Sequence, residues 1–215
     1  MARVTLPKYY SPTEEKINVI SHGIGFFLSI VALVFLVVRA SVYGNVLHVV
    51  SFTIFGVSLM VLYAASSLYH NATQPEVRKR LKIFDHASIY VLIAGTYTPF
   101  TLVTLHGVTG WIIFGISWGI ALVGITLKLF FTGRYSIAST VMYVLMGWVI
   151  IFAIKPLVHN LSEEGLFWLF LGGLAYTAGA VLYSIKKIKF NHAIFHLLVL
   201  VGSFCHFVSI YFYVS

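Results

Sequence analysis

The chain has 215 residues, of which 60% are hydrophobic and only 9% are charged. Soluble domains carry about 25% charged residues, and disordered chains combine low hydrophobicity with high charge, so both classes are excluded. A disulfide scaffold is also excluded because Cys205 is the only cysteine. An integral membrane protein remains, and since a spanning helix takes about 20 residues, the length allows about seven spans.

Seven apolar blocks follow one another along the chain, separated by short polar connections. They predict a single all-α transmembrane domain over residues 1–215, an integral membrane bundle of seven helices whose neighbours run antiparallel. The predicted spans are residues 17–38, 46–69, 83–105, 111–130, 137–156, 165–185 and 192–214. Small residues predict close helix packing at Gly115 and Gly119 in the fourth span and at Gly172 and Gly179 in the sixth. Pro99 predicts a bend in the third span.

The basic residues divide unevenly between the two ends of these spans. Twelve lie at one end, and only Arg39 and Lys155 lie at the other. The twelve are Arg3, Lys8, Lys16, Arg78, Lys79, Arg80, Lys82, Lys128, Arg134, Lys186, Lys187 and Lys189. Cytoplasmic loops carry the excess of Lys and Arg, so the N-terminus is predicted to be cytoplasmic and the C-terminus extracytoplasmic. The net charge of +8 does not indicate a nucleic-acid partner, because these scattered groups form no basic groove.

Asp85 is the only aspartate, and it falls in the first turn of the third predicted span. An acid at this depth is costly unless it is paired, which favours a functional role. The alternative is an interfacial charge that the dipole at the N-terminal end of the helix stabilises.

Histidines supply the second polar signal. His192 and His196 are spaced i, i+4, which places both rings on one helix face where they can bind one metal. Such a pair is also compatible with two interfacial histidines. His70 ends the second span, with Ser66 one turn before it on the same face.

The direction of each span then brings these residues to one membrane depth. The second span ends at the cytoplasmic side, where the third and seventh begin, so Ser66, His70, Asp85 and the His192–His196 pair all lie there. Three neutral imidazoles with an open position are the ligand set of a catalytic zinc site. Asp85 would hydrogen-bond the bound water, and Ser66 would complete the polar shell.

The other histidines are placed by helix geometry. His22 could reach this polar cluster together with Asn18 and Glu15. His86 points about 100° away from Asp85 around the helix and is expected to face a neighbour or the interface. His206 lies about 15 Å beyond His196 along the helix, too far to share a metal.

Several stretches carry a family resemblance, among them Ser66-Ser67-Leu68-Tyr69-His70, Phe84-Asp85-His86 and Asn191–His196. Others are residues 21–25, 94–100 and 205–207, so the likeness runs from about Ser11 to the end. On these motifs the chain resembles the bacterial hemolysin III family, which belongs with the progestin and adipoQ receptors and is related to alkaline ceramidases.

The resemblance implies seven helices in a bacterial plasma (inner) membrane and one zinc ion (Zn²⁺). It implies His70, His192 and His196 as zinc ligands, with Asp85 near the zinc-bound water and Ser66 beside it. Hydrolysis of a lipid amide, haemolytic activity and a role in membrane-lipid homeostasis are the functions that it suggests.

Two classes of function stay open at this point. The first is a zinc-dependent hydrolase that acts on membrane lipids, with Asp85 as the water-positioning group and general base. The second is a non-enzymatic cytolytic factor, or a lipid sensor or receptor, in which zinc is structural. A transporter with a proton relay is a third hypothesis, but the sequence shows no pair of interrupted helices of the kind that marks transporter sites.

Overall fold

A computed structural model describes residues 9–132 and 136–215, and these residues form helices joined by short connections. Seven helical segments in this part of the chain are long and apolar enough to cross a membrane, as predicted. Their helices are α1 (Pro12–Tyr43), α2 (Val46–Asn71), α3 (Pro75–Pro99), α4 (Gly107–Phe131), α5 (Ser136–Gly147), α6 (Ile154–Asn160), α7 (Glu163–Ser184) and α8 (Asn191–Tyr213). The protein is therefore a multi-pass membrane protein.

The first and third helices begin earlier than the apolar pattern predicts. Ser11 caps α1, its hydroxyl accepting a hydrogen bond from Glu14 N, and Pro12 follows at the first helical position. Pro75 likewise opens α3, which carries the basic residues 78–82 that were predicted to form a connection. Both helices extend beyond the apolar blocks because their start signals precede those blocks.

The third span is the most buried of the seven and lies at the centre of the bundle. It packs against both α2 and α4, while α8 packs against α1 and α7. After Pro99 the helix widens into a π-helical turn over Phe100–Thr104, as expected where proline removes a backbone donor.

The fifth span is interrupted, which the sequence analysis did not predict. Helix α5 ends at Gly147, a 3₁₀ turn covers Val149–Ala153, and α6 completes the span. The hydroxyl of Tyr97 fills the gap: it lies 3.0 and 2.8 Å from the carbonyl oxygens of Met146 and Gly147 and accepts from Ile150 N at 3.0 Å. One buried side chain on α3 thus replaces the missing helical hydrogen bonds.

The prediction of close packing at small residues is confirmed for one pair of helices and wrong for another helix. A methyl group added at Gly202 of α8 would lie 2.4 Å from the ring of Tyr176, and one at Gly172 would lie 2.8 Å from the ring of His206. Helices α7 and α8 therefore approach closely, as predicted. Gly115 and Gly119 on α4 meet nothing within 4 Å, so the prediction of close packing there is wrong for this bundle.

Because neighbouring helices run antiparallel, one set of helix ends lies together at one end of the bundle, which we call the proximal end. It is the end at which α1, α3 and α8 begin and α2, α4 and α7 end. Of the twelve basic residues predicted at this end, Arg3, Lys8 and Arg134 lie outside the described residues. Which side of the membrane the proximal end faces stays a prediction.

Candidate metal centre

Three histidines meet at the proximal end of the bundle. His70 lies in the last turn of α2, and His192 and His196 occupy the first two turns of α8. All three are buried, with exposed fractions of 4%, 6% and 2%. Each offers one ring nitrogen, and these three atoms lie within 4.8 Å of one another, so the group could hold a metal ion. These are the three residues predicted above as ligands, and their binding of a metal stays a prediction.

The arrangement fits an ion better than it fits hydrogen bonding between the rings. The Nε2 atom of His192 lies 3.0 Å from Nε2 of His70 and 3.1 Å from Nε2 of His196. A neutral ring nitrogen carries either one hydrogen or one lone pair. It therefore cannot form two good hydrogen bonds at once, whereas three lone pairs can converge on one cation.

Glu15 of α1 fixes the tautomer of His70. Its Oε2 lies 2.6 Å from Nδ1 of His70, and an ionised carboxylate only accepts hydrogen bonds. Nδ1 therefore carries the hydrogen and Nε2 carries the lone pair that a metal requires. A carboxylate behind a ligating histidine is a common outer partner in metal sites.

Nη2 of Arg78 on α3 donates a hydrogen bond to the other oxygen of Glu15, Oε1. Its Nη1 donates to the carbonyl oxygens of Tyr69, His70 and Ala72, at 3.1, 3.3 and 3.2 Å, where α2 ends. Tyr69 O also accepts a hydrogen bond from Ala72 N at 3.3 Å, and the buried guanidinium adds a donor for these carbonyls at the end of α2 while it neutralises the carboxylate. The result is an ionic connection between α1, α2 and α3 at His70.

The chain before α1 covers His192. Tyr10 stacks on its ring with centroids 4.5 Å apart and an angle of 12° between the planes. Burial raises the pKa of the Tyr10 hydroxyl, so the phenol stays neutral there. Glu14 accepts a hydrogen bond from His192 N at 3.2 Å, at the open N-terminal end of α8.

His22 reaches the histidine cluster, as its position in the first turns of the first span allowed. Its ring stacks on His196 with centroids 3.6 Å apart and an interplanar angle of 14°. Tyr63 contacts the same ring edge-on at 5.1 Å. His22 is buried, and in the part of the chain that the structure describes neither of its ring nitrogens has a hydrogen-bond partner. It is the fourth imidazole of the cluster, although it lies outside the group whose nitrogens converge.

Asp85 and Ser66 lie at the same end of the bundle, as the sequence predicted. Both are buried, and both line the cavity that His192 and His196 also line. His86, expected to face a neighbour or the interface, lines this cavity too, with Nε2 4.0 Å from Asp85 Oδ2. Asp85 does not belong to the group of converging nitrogens, and its role beside a bound water stays a prediction.

The cavity has a volume of about 160 Å³ and runs through the middle of the bundle. Its proximal part is polar and includes His192, His196 and Asp85. Farther along, its walls are mainly aliphatic and aromatic, with Tyr97, Trp148 and Tyr176 among them, and it reaches His206. An elongated apolar molecule with a polar group beside the histidines would match this distribution of wall residues.

Comparison with known proteins agrees with this architecture. Residues 10–207 match the family model described as Haemolysin-III related. Hemolysin-3 of Bacillus cereus is 50% identical over 201 residues, which cover 94% of this chain and 92% of that protein. Hemolysin-3 homolog of Bacillus subtilis (strain 168) is 50% identical over 200 residues, covering 93% of this chain and 94% of the relative. Monocyte to macrophage differentiation factor of Homo sapiens is 27% identical over 194 residues, or 83% and 80% of the two chains. The chain belongs to the Haemolysin-III related family.

Proposed function

We propose that this member of the family is a zinc-dependent hydrolase of lipid amides, embedded in the bacterial plasma membrane and active in membrane-lipid homeostasis. One observation carries the proposal. The converging nitrogens of His70, His192 and His196 lie beside a cavity that also holds Asp85 and continues into an apolar interior.

Zinc is the proposed ion because of the ligand chemistry. Neutral imidazoles suit zinc and other first-row metals, whereas oxygen-rich sites suit magnesium and calcium. Three histidines without a fourth protein ligand are typical of catalytic zinc, since structural sites are closed and usually contain cysteine. The single cysteine, Cys205, is not among the converging groups.

The chemistry divides between the ion and the side chains around it. When bound, zinc would lower the pKa of a coordinated water and polarise a carbonyl group. Asp85 would accept a proton from the attacking water at a carboxylate oxygen and pass it to the departing amine. Ser66 would hold the polar end of the lipid, and the apolar walls would exclude other water from the scissile bond.

The excess of basic residues at the proximal end supports a cytoplasmic position for this site. A lipid could then enter the site from the inner leaflet without leaving the membrane.

A second function has its own support. Tyr10, Glu15 and Arg78 tie the chain before α1 to α2, α3 and α8 around the histidines. A metal ion there would strengthen the same connection, as a structural zinc does. The alternative is thus a non-enzymatic cytolytic factor, as the names of the Bacillus relatives suggest, or a lipid sensor or receptor with a structural zinc.

Turnover by purified, zinc-loaded protein separates the two functions. A panel of lipid amides and esters in mixed micelles is incubated with the wild type, and released fatty acid is measured by mass spectrometry. We expect turnover that Asp85→Ala abolishes while its zinc is retained. Glu76→Gln, which removes an exposed acid from the first turn of the same helix, should leave turnover unchanged. No turnover across the panel with zinc bound would reject the hydrolase and favour the structural role.

A further inference from the structure

Lys128, in the last turn of α4, is a buried cation at the proximal end of the bundle. Only 6% of its surface is exposed, and its side chain lines the cavity. The ammonium group donates a hydrogen bond to Ser139 Oγ at 2.5 Å, and it lies 5.7 Å from the centre of the Tyr143 ring. Its contacts therefore come from neutral groups of α5.

No acid of the chain balances this charge. The six carboxylate side chains all lie in the described residues, where the ion pairs involve Glu15 with His70 and Arg78, and Asp85 with His86. On α3, Lys82 and His86 interact electrostatically with Lys128, and they add positive charge or none. A buried ammonium without a counter-ion is costly, so its retention indicates a use for the charge.

The groups around Lys128 are those that bind an oxyanion. Ser139, Thr140 and Tyr143 of α5 and His86 of α3 line the cavity together with Lys128. The ammonium supplies the charge and the donor for an oxygen of the anion, and the hydroxyl-bearing side chains keep its surroundings polar. Lys128 lies in the last turn of α4 and Ser139 in the first turn of α5, so we expect this group at the depth of lipid headgroups, while the cavity beyond it is apolar.

We propose that Lys128, beside Ser139 and Thr140, binds the phosphate group of a phospholipid whose hydrocarbon part enters the cavity. The inference deepens the proposed function and rests on it for the view that the ligand is a lipid. It identifies the lipid as a phospholipid: the molecule beside the histidines carries a phosphate group, which binds between α3, α4 and α5. The hydrolase would then act on a phosphate-bearing lipid rather than on a neutral one.

Binding to the purified full-length protein tests this directly, without turnover. Three probes are compared in a neutral detergent: dioctanoyl phosphatidylglycerol, dioctanoylglycerol, which lacks the phosphate, and inorganic phosphate. The readouts are the Kd and the increase in Tm that each probe causes. For the wild type we expect phosphatidylglycerol to bind more tightly than dioctanoylglycerol and inorganic phosphate to give no increase in Tm. Phosphate that binds as well as the lipid would overturn the assignment to a lipid headgroup.

Three variants locate the binding. Lys128→Met should weaken phosphatidylglycerol binding by about tenfold or more, since the lost hydrogen bonds are charge-assisted. Lys128→Arg should restore most of it, and Lys187→Met, which removes an exposed lysine from the proximal end, should change nothing. The lipid-free Tm of Lys128→Met should equal or exceed that of the wild type, because a buried unpaired charge is removed.

Equal phosphatidylglycerol affinity in Lys128→Met and the wild type would overturn the proposal. The outcome is separable from that of the hydrolase test. Lys128-dependent binding without turnover of any lipid would reject the hydrolase alone, and turnover without Lys128-dependent binding would reject the phosphate site alone.

Discussion

Glu15→Gln isolates the contribution of one carboxylate to the metal centre while it keeps the size of the side chain. Glu15 accepts hydrogen bonds at both oxygens: Oε2 faces His70 Nδ1, and Oε1 faces Arg78 and Tyr10 N. Glutamine has one accepting oxygen and one donating amide. If its oxygen stays with Arg78 and Tyr10, its NH₂ group faces Nδ1, and His70 must place its hydrogen on Nε2, where the metal should bind.

Two effects of different size follow from this mismatch. Metal affinity should fall about 10–100-fold, the usual cost of changing a group behind a ligand, which corresponds to about 1.4–2.8 kcal/mol. The free energy of unfolding of the metal-free protein should fall by about 1.5–3 kcal/mol, since the buried Arg78 loses a charged hydrogen-bond partner. The lower end applies if water replaces the partner, because the Glu15 side chain is 15% exposed.

Zinc affinity is measured by competition with a chelator, and the absorption spectrum of the Co²⁺-substituted protein reports on the ligand set. Glu76→Gln is the matched control, since it removes an exposed acid from the same end of the bundle. Zinc affinity in Glu15→Gln indistinguishable from that of Glu76→Gln would refute the role assigned to the carboxylate.

Three further predictions concern the cavity, the helix packing and the orientation. Asp85→Ala should retain much of the zinc and lose turnover, measured by elemental analysis beside the lipid assay; loss of the zinc would make Asp85 a ligand. Gly202→Ala should lower the free energy of unfolding by about 1–3 kcal/mol through overpacking, whereas Gly119→Ala should not, and equal denaturation curves would contradict the close contact of α7 and α8. A reporter fused after Ser215 should read extracytoplasmic and one inserted near Arg78 cytoplasmic, and the opposite readings would reverse the bundle in the membrane.

The spans and the meeting of the three histidines were predictable because they depend on signals that the sequence carries locally. Apolar blocks of spanning length give the seven helices, and the i, i+4 spacing gives the pair His192 and His196. Alternation of direction then places His70 at the same depth. None of these steps requires knowledge of how one helix is rotated against another.

The residues behind the three histidines were predicted only in part, because their contacts depend on how one helix is rotated against another. The sequence placed Glu15 and His22 within reach of the polar cluster, but their contacts with His70 and His196 require that α1 presents a particular face to α2 and α8. For Lys128 the sequence predicted only a position among the basic residues of the proximal end. Its burial was not predicted, because it depends on how α4 packs against α5. The interruption of the fifth span depends on the Tyr97 hydroxyl, and no local signal on α5 shows it.

The prediction of close packing at Gly115 and Gly119 was wrong because a small-residue motif shows where helices can approach, not whether a partner is present. Both glycines lie on an open face of α4 in this bundle.

The metal content of the purified wild type beside His192→Ala tests the central claim most directly. His206→Ala is the control, since it removes another buried histidine from α8 that lies outside the converging group. We predict one zinc per chain in the wild type and in His206→Ala, and loss of that zinc in His192→Ala. Equal zinc in the wild type and His192→Ala would contradict the three-histidine site and, with it, the proposed hydrolase.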